Sequence, residues 1–188
     1  MIRITALLAC AVLTACSQTT SAGTTMQMRG YAFAPPAFKA FCAREKTLCS
    51  TQGQTKMVEL TAARKAELSK VNASVNRRIS EKSDLSSTGA GDDWRVPVRY
   101  GDCEDFAILK KSELLKRGWP ASALLLTVAR SGGEGHTVLT VRTSEGDLVL
   151  DNRISAIRDW SDTPYRYFAR QSQSNDGKWR RIGSAQRI

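Results

Sequence analysis

Cys103, His136 and Asp151 are the residues of this 188-residue chain whose types and order could carry out nucleophilic chemistry. Cys103 stands in YGDCEDFA (100–107), His136 is the sole histidine of the sequence, and Asp151 closes LVLD (148–151). A thiol attacks carbon only as the thiolate, so it needs an imidazole to take its proton and a helix N-terminus or another positive centre to steady the anion. The imidazole in turn needs a carboxylate or amide to fix its tautomer, and Asp151 is the best-placed group for that role. The motif also poses a problem. Asp102, Glu104 and Asp105 crowd the sulfur, and nearby negative charge favours the thiol over the thiolate. Each residue alone has a plainer explanation: a buried cysteine is often a small hydrophobe, a lone histidine a satisfied core or surface group, and Asp151-Asn152 the start of a turn. Their joint order, each at an element end or on an alternating strand, points to a site.

These side chains need elements to hold them. Asp102 is a candidate N-cap and Asp105 falls at the third helical position, where acidic groups suit the helix dipole. Phe106, Ala107, Leu109 and Leu114 continue a helical pattern that Gly118 and Trp119-Pro120 end, so Cys103 becomes the first residue of that helix. Upstream, Met57, Leu60, Leu68, Val71, Val75 and Ile79 recur at helical spacing with one gap, predicting an amphipathic helix over 55–80. Residues 81–101, with SSTGAGDDW and Pro97, read as a connecting loop. Past Pro120 the period changes: 123–129 is an apolar β-rich run, 136–142 and 147–151 alternate, and 165–169 adds a further strand. Helices followed by antiparallel strands predict an α+β domain with the Cys103 helix laid on the sheet.

Whether His136 meets Asp151 depends on the hairpin between their strands. A tight turn at Glu145-Gly146 sets Asp151 opposite Thr140, about 13 Å along the strand from His136. A four-residue loop from Arg142 to Glu145 sets His136 directly opposite Asp151. Both put Leu139 and Val141 on the face of Leu148 and Leu150, so the apolar pattern does not choose between them.

The chain is long enough for one domain with a sizeable core. Its hydrophobic fraction of 41% and charged fraction of 24% are those of an ordinary globular protein. Arg3, an apolar run over 4–12 and the sequence LTAC ending at Cys16 have the layout of a secretory signal. LTAC also resembles a bacterial lipobox, which makes 1–16 the signal and Cys16 the lipidated first residue of the mature chain; cleavage near Ala22 by the ordinary peptidase is the alternative. Residues 17–34, rich in Ser, Thr and Gly, read as a flexible tether, and 35–188 as the folded domain. The expected location is the periplasm, on a membrane only through the N-terminal lipid. Cysteines close in sequence pair in such an oxidising compartment. Cys42 and Cys49 lie about 10.5 Å apart on an unbroken helix, beyond the roughly 4.4–6.8 Å a disulfide spans. Their bridge therefore predicts a helix entered at Pro35-Pro36 and ending near 45–47, which leaves Cys103 as the free thiol. The net charge of +10 invites a nucleic-acid reading, but export and the scattered Lys and Arg argue against it and favour an anionic surface or an acidic protein.

GDCEDFA with LKKSELLKRGWP, then GHTVLTV and GDLVLDN, resembles the bacterial transglutaminase-like cysteine peptidases, a family that includes the LapG-like periplasmic proteases. FCAREKTLC, VNASVN, GDDW and TPYRYFARQS extend the resemblance over nearly all of residues 35–182. It implies a papain-like, transglutaminase-type core with Cys103 as nucleophile, His136 as general base and Asp151 as its orienter. It implies a protein substrate such as a surface or biofilm adhesin, and an inner-membrane receptor as a regulatory partner. It further implies that Asp102 and Glu104 bind calcium, with Asp92, Asp93, Asp105, backbone carbonyls or water completing the shell; calcium takes six to eight oxygen ligands. Transglutaminase or amidase acyl transfer on the same triad, and a non-catalytic binding lipoprotein, are the competing readings.

Overall fold

In the computed structural model residues 23–88, 91–174 and 177–187 are described; the expected signal 1–16 with Cys16, and 17–22 of the expected tether, lie outside them. The helices come early and the long strands mostly late: β1 (Thr24–Ala32), α1 (Phe38–Arg44), α2 (Lys46–Cys49), α3 (Ala62–Arg78), β2 (Ser80–Glu81), α4 (Asp84–Thr88), β3 (Tyr100–Gly101), α5 (Cys103–Lys116), β4 (Leu124–Ser131), β5 (Glu134–Thr143), β6 (Gly146–Leu150), β7 (Arg158–Asp159), β8 (Arg166–Gln171) and β9 (Trp179–Arg187). Seven strands form one antiparallel sheet in the order β1-β9-β8-β4-β5-β6-β7, and β2 pairs with β3 in parallel. The α+β class is as the sequence predicts.

Helix α5 is buried nearly all round, with ten of its fourteen residues out of solvent. Such a helix belongs inside a core rather than on its rim. It packs on β5 and, across its other side, against α3. Leu124, Leu126, Leu139, Val141, Leu148 and Leu150 of the sheet join Phe106, Ile108 and Leu114 of α5 in one apolar cluster. Phe38 of α1 meets Trp179 of β9 at 5.1 Å and Trp94 of the GDDW segment at 5.7 Å, ring centre to ring centre, which pins that segment to the sheet.

Cys42 and Cys49 are joined, Cα to Cα 5.2 Å, and the helix breaks at Glu45 between α1 and α2, inside the predicted window. Three local expectations change. Residues 24–32 of the expected tether form β1, whose Met26 is buried and whose partner is β9, a segment about 150 positions away that a local reading does not reach. The helix predicted from residue 55 starts at Ala62, because Thr61 caps it by accepting the Arg64 N–H at 3.3 Å, and Val58 instead bridges to Thr143. The expected loop 81–101 contains α4 and β3.

The β5–β6 hairpin adopts neither register derived from the sequence. Its loop is Ser144-Glu145, so Thr143 pairs with Gly146 and Leu139 with Leu150. Gly146 sits at φ +112, a backbone conformation that glycine adopts without strain. Thr143 Oγ1 locks the turn, accepting from the Glu145 N–H at 3.2 Å and donating to the Gly146 carbonyl at 2.8 Å. Extending the ladder by one residue sets Asp151 across from Val138, on the same face as His136 and two positions along it.

Candidate active site

The diagonal offset is short enough for side chains to close. His136 Nε2 meets Asp151 Oδ1 at 2.9 Å, with both residues about 2% exposed. Tyr165, just before β8, donates its hydroxyl to the other oxygen, Asp151 Oδ2, and sets its ring 4.8 Å from the imidazole, centre to centre, at a tilt of 56°. Burial alone would raise the Asp151 pKa, but the bonds from His136 and Tyr165 hold it below the ordinary carboxylate value. The VNASVN motif supports the same segment: Asn76 Nδ2 donates to the Asp151 carbonyl at 2.8 Å, and Asn72 Nδ2 to the carbonyls of Ile154 and Ser155, each at 3.0 Å.

With Nε2 engaged by Asp151, the remaining ring nitrogen, Nδ1, is buried without a hydrogen-bond partner. His136 and Cys103 line one cavity of about 570 Å³. Cys103 opens α5, and its sulfur accepts the Thr137 N–H of β5 at 3.3 Å while the thiol donates to Glu104 Oε2 at 3.2 Å. Burial first, and then the Glu104 carboxylate, push this thiol well above its ordinary pKa, with the Thr137 N–H opposing them.

Asp102 stands at the N-cap position of α5 but makes no side-chain cap bond. Its Oδ2 instead accepts the Asp84 N–H at 3.1 Å, and its Oδ1 is buried without a partner. Ligand oxygens of Asp84, Asp102 and Glu104 lie within 4.8 Å of one another. Burial, then Asp92 and Asp102, raise the Glu104 pKa to about 9, and burial likewise raises that of Asp102. Hard oxygen donors converging with an unpartnered buried oxygen suit a hard divalent cation. Of the three carboxylates proposed to complete such a shell, Asp92 bonds Glu104, whereas Asp93 pairs with Arg44 at 2.7 Å and Asp105 accepts the Arg95 N–H at 2.9 Å. Asp84, which pairs with Arg95 Nη1 at 2.9 Å and accepts the Asp93 N–H, is the third carboxylate of the cluster; it lies 18 residues before Asp102, in a polar stretch with no motif to single it out. Gly101 has a steric role here, since a Cβ at that position would come within 2.7 Å of the Asp105 side chain.

A helix-borne thiol sharing a cavity with a histidine on an antiparallel strand is the layout of the papain-like and transglutaminase-type thiol hydrolases, and this α+β domain has it. The family model described as bacterial transglutaminase-like cysteine proteinase matches residues 28–187. The chain therefore belongs to that family: it is a transglutaminase-like cysteine peptidase and acts on a protein substrate. Among solved structures, calcium-bound Legionella pneumophila LapG is 29% identical with a TM-score of 0.54, over 81% of this chain and 84% of that one. Further structures of Legionella pneumophila LapG match at 31% identity and a TM-score of 0.52, over 79% and 81% of the chains, and, EGTA-treated, at 30% and 0.52, over 81% and 84%. Comparison with curated proteins gave no match.

Proposed function

We propose that Cys103, His136 and Asp151 form the catalytic triad of a calcium-dependent endopeptidase that works in the periplasm on the N-terminal part of a surface adhesin. The observation that carries the triad is the His136 Nε2–Asp151 Oδ1 bond of 2.9 Å, which leaves the buried Nδ1 without a partner and available as base in the cavity it shares with Cys103. Nδ1 takes the thiol proton as sulfur attacks the substrate carbonyl; the helix N-terminus favours the anion, and the Cys103 N–H can donate to the oxyanion. The imidazolium, steadied by Asp151, then gives its proton to the leaving amine, and a thioester remains. Water deprotonated by His136 attacks that thioester, releasing the carboxylic acid and restoring the thiol.

Asp84, Asp102 and Glu104 would hold the calcium ion, and Asp92 is close enough to Glu104 to support them. Bound calcium supplies positive charge among carboxylates that otherwise oppose the thiolate. Support for this reading comes from the donor set and from the calcium-bound and EGTA-treated states of the LapG structures. The periplasmic setting, the lipid on Cys16, the adhesin substrate and a regulatory inner-membrane receptor rest on the sequence features given above. Iodoacetamide labelling in calcium-containing buffer at pH 7 tests the triad: rapid alkylation confined to Cys103 and lost in His136→Ala is expected. An unreactive Cys103 in folded protein would overturn it.

A further inference from the structure

The catalytic cavity does not end at His136. A second cavity of about 530 Å³ continues from it, sharing Val128, Ala129 and Gly135. Its character is opposite. The catalytic end carries Asp84, Asp102 and Glu104, while this end is lined by Arg130 and Arg166 and by no carboxylate.

Arg130 of β4 and Arg166 of β8 are directly paired across the ladder. Like charges in that position repel. No carboxylate among the described residues ion-pairs with either, and the acid next along the strand edge, Glu134, is turned to Arg153 at 4.0 Å. The sheet is deformed at the same place. The β4–β8 register shifts between Val128 and Ala129, so Phe168 has no partner in the ladder and stands 57% exposed in the cavity wall. Bulges of this kind redirect side chains beside functional sites. Opposite, Gly133 and Gly135 leave the space open, for a Cβ at either would meet nothing within 4 Å.

We infer that this cavity is a substrate subsite in which Arg130 and Arg166 bind an acidic side chain of the extended protein segment being cleaved, with Phe168 packing against that segment's neighbouring residue. The inference rests on the peptidase reading of the shared cleft and adds a specificity determinant to it. A carboxylate between the two guanidiniums relieves their repulsion and accepts paired hydrogen bonds.

Binding to the full chain carrying Cys103→Ala tests this without requiring catalysis. The probes are fluorescein-labelled Gly/Ala/Ser hexapeptides carrying one Asp, Glu, Asn or Lys at each position in turn, in calcium-containing buffer. At one position the Asp or Glu peptide is expected to bind about tenfold tighter than its Lys counterpart, a difference that shrinks at high salt. Arg130→Gln and Arg166→Gln, made singly, should each reduce that ratio at least threefold, while Arg180→Gln, a charge outside this cavity, leaves it unchanged. Equal binding of acidic and basic peptides, absence of binding by any peptide, or a preference that survives both Gln variants overturns the inference. Failure of the peptidase reading shows separately, as wild-type chain that hydrolyses none of the same peptides.

Discussion

Removing one oxygen, in Tyr165→Phe, isolates the hydroxyl's part in holding Asp151. The phenyl ring keeps its place 4.8 Å from the imidazole, and the His136–Asp151 bond of 2.9 Å stays. What is lost is one hydrogen bond to a buried carboxylate, a class of bond worth about 1.5–3 kcal/mol. Without it, burial is opposed by one bond fewer, and the Asp151 pKa rises toward the ordinary carboxylate value. The sign follows from the direction of its shift. A carboxylate held below its ordinary value contributes stability above the ordinary carboxylate range and loses it as pH falls through the folded pKa. Tyr165→Phe should therefore lower Tm at pH 7 by roughly 3–12 °C, at about 2–4 °C per kcal/mol for a chain of this size, with the gap closing toward the pH at which Asp151 protonates. Because His136 keeps its orienting partner at neutral pH, kcat/KM on a peptide substrate should fall by less than about tenfold there, with the acid limb moving upward. Tyr165→Ala also loses the ring contact and should cost about 0.5–1.5 kcal/mol more. Urea unfolding from pH 4 to 8 and the pH dependence of kcat/KM decide the matter. Wild-type stability with an unmoved acid limb would refute the argument, and a loss of activity as large as that of Asp151→Ala would place the hydroxyl on the reacting atoms instead.

Two further outcomes are expected. EGTA should abolish hydrolysis and calcium restore it, and Asp84→Asn should raise the calcium needed for half-maximal activity by about tenfold or more while the far-UV circular dichroism stays unchanged; full activity in EGTA would leave these carboxylates a structural role only. Lys110, whose Nζ is buried without a hydrogen bond 5.7 Å from the Phe106 ring centre, is pushed by burial down to about 7 against the pull of Asp151. Between that value and the ordinary lysine value of about 10.4 the unfolded chain holds more protons, so wild-type stability rises with pH across this window. Lys110→Met removes that slope and should raise Tm by several degrees at pH 6 and progressively less toward pH 10; an equal gain at both ends would sink the explanation.

The features legible in the sequence were those set by local chemistry. Cys103 at a helix start, His136 on an alternating strand and a helix break between Cys42 and Cys49 each follow from a few consecutive residues. What escaped was non-local. Strand β1 gains its order from β9, and its Met26 N–H donates to Asp147 Oδ2 at 2.7 Å, where the buried Arg170 also pairs at 2.9 Å. Asp84 and Tyr165 reach the site from separate segments, and no spacing rule links them to Cys103 or Asp151. VNASVN and TPYRYFARQS carry the family resemblance, but their physical reason, supporting Asp151 from two sides, appears only in the folded chain.

The two-residue turn at Ser144-Glu145 does more than join β5 to β6. Alternation lets the apolar face survive a slip of any even number of residues, so the core has no means of correcting an error of two. The bond between His136 and Asp151 has no such tolerance. The turn that selects among these equivalent packings begins eight residues from the histidine, roughly 26 Å along the strand. Changes of loop length at that remote, outwardly dispensable tip would leave a folded protein with its imidazole unaligned, which makes chain length at the tip a determinant of catalysis.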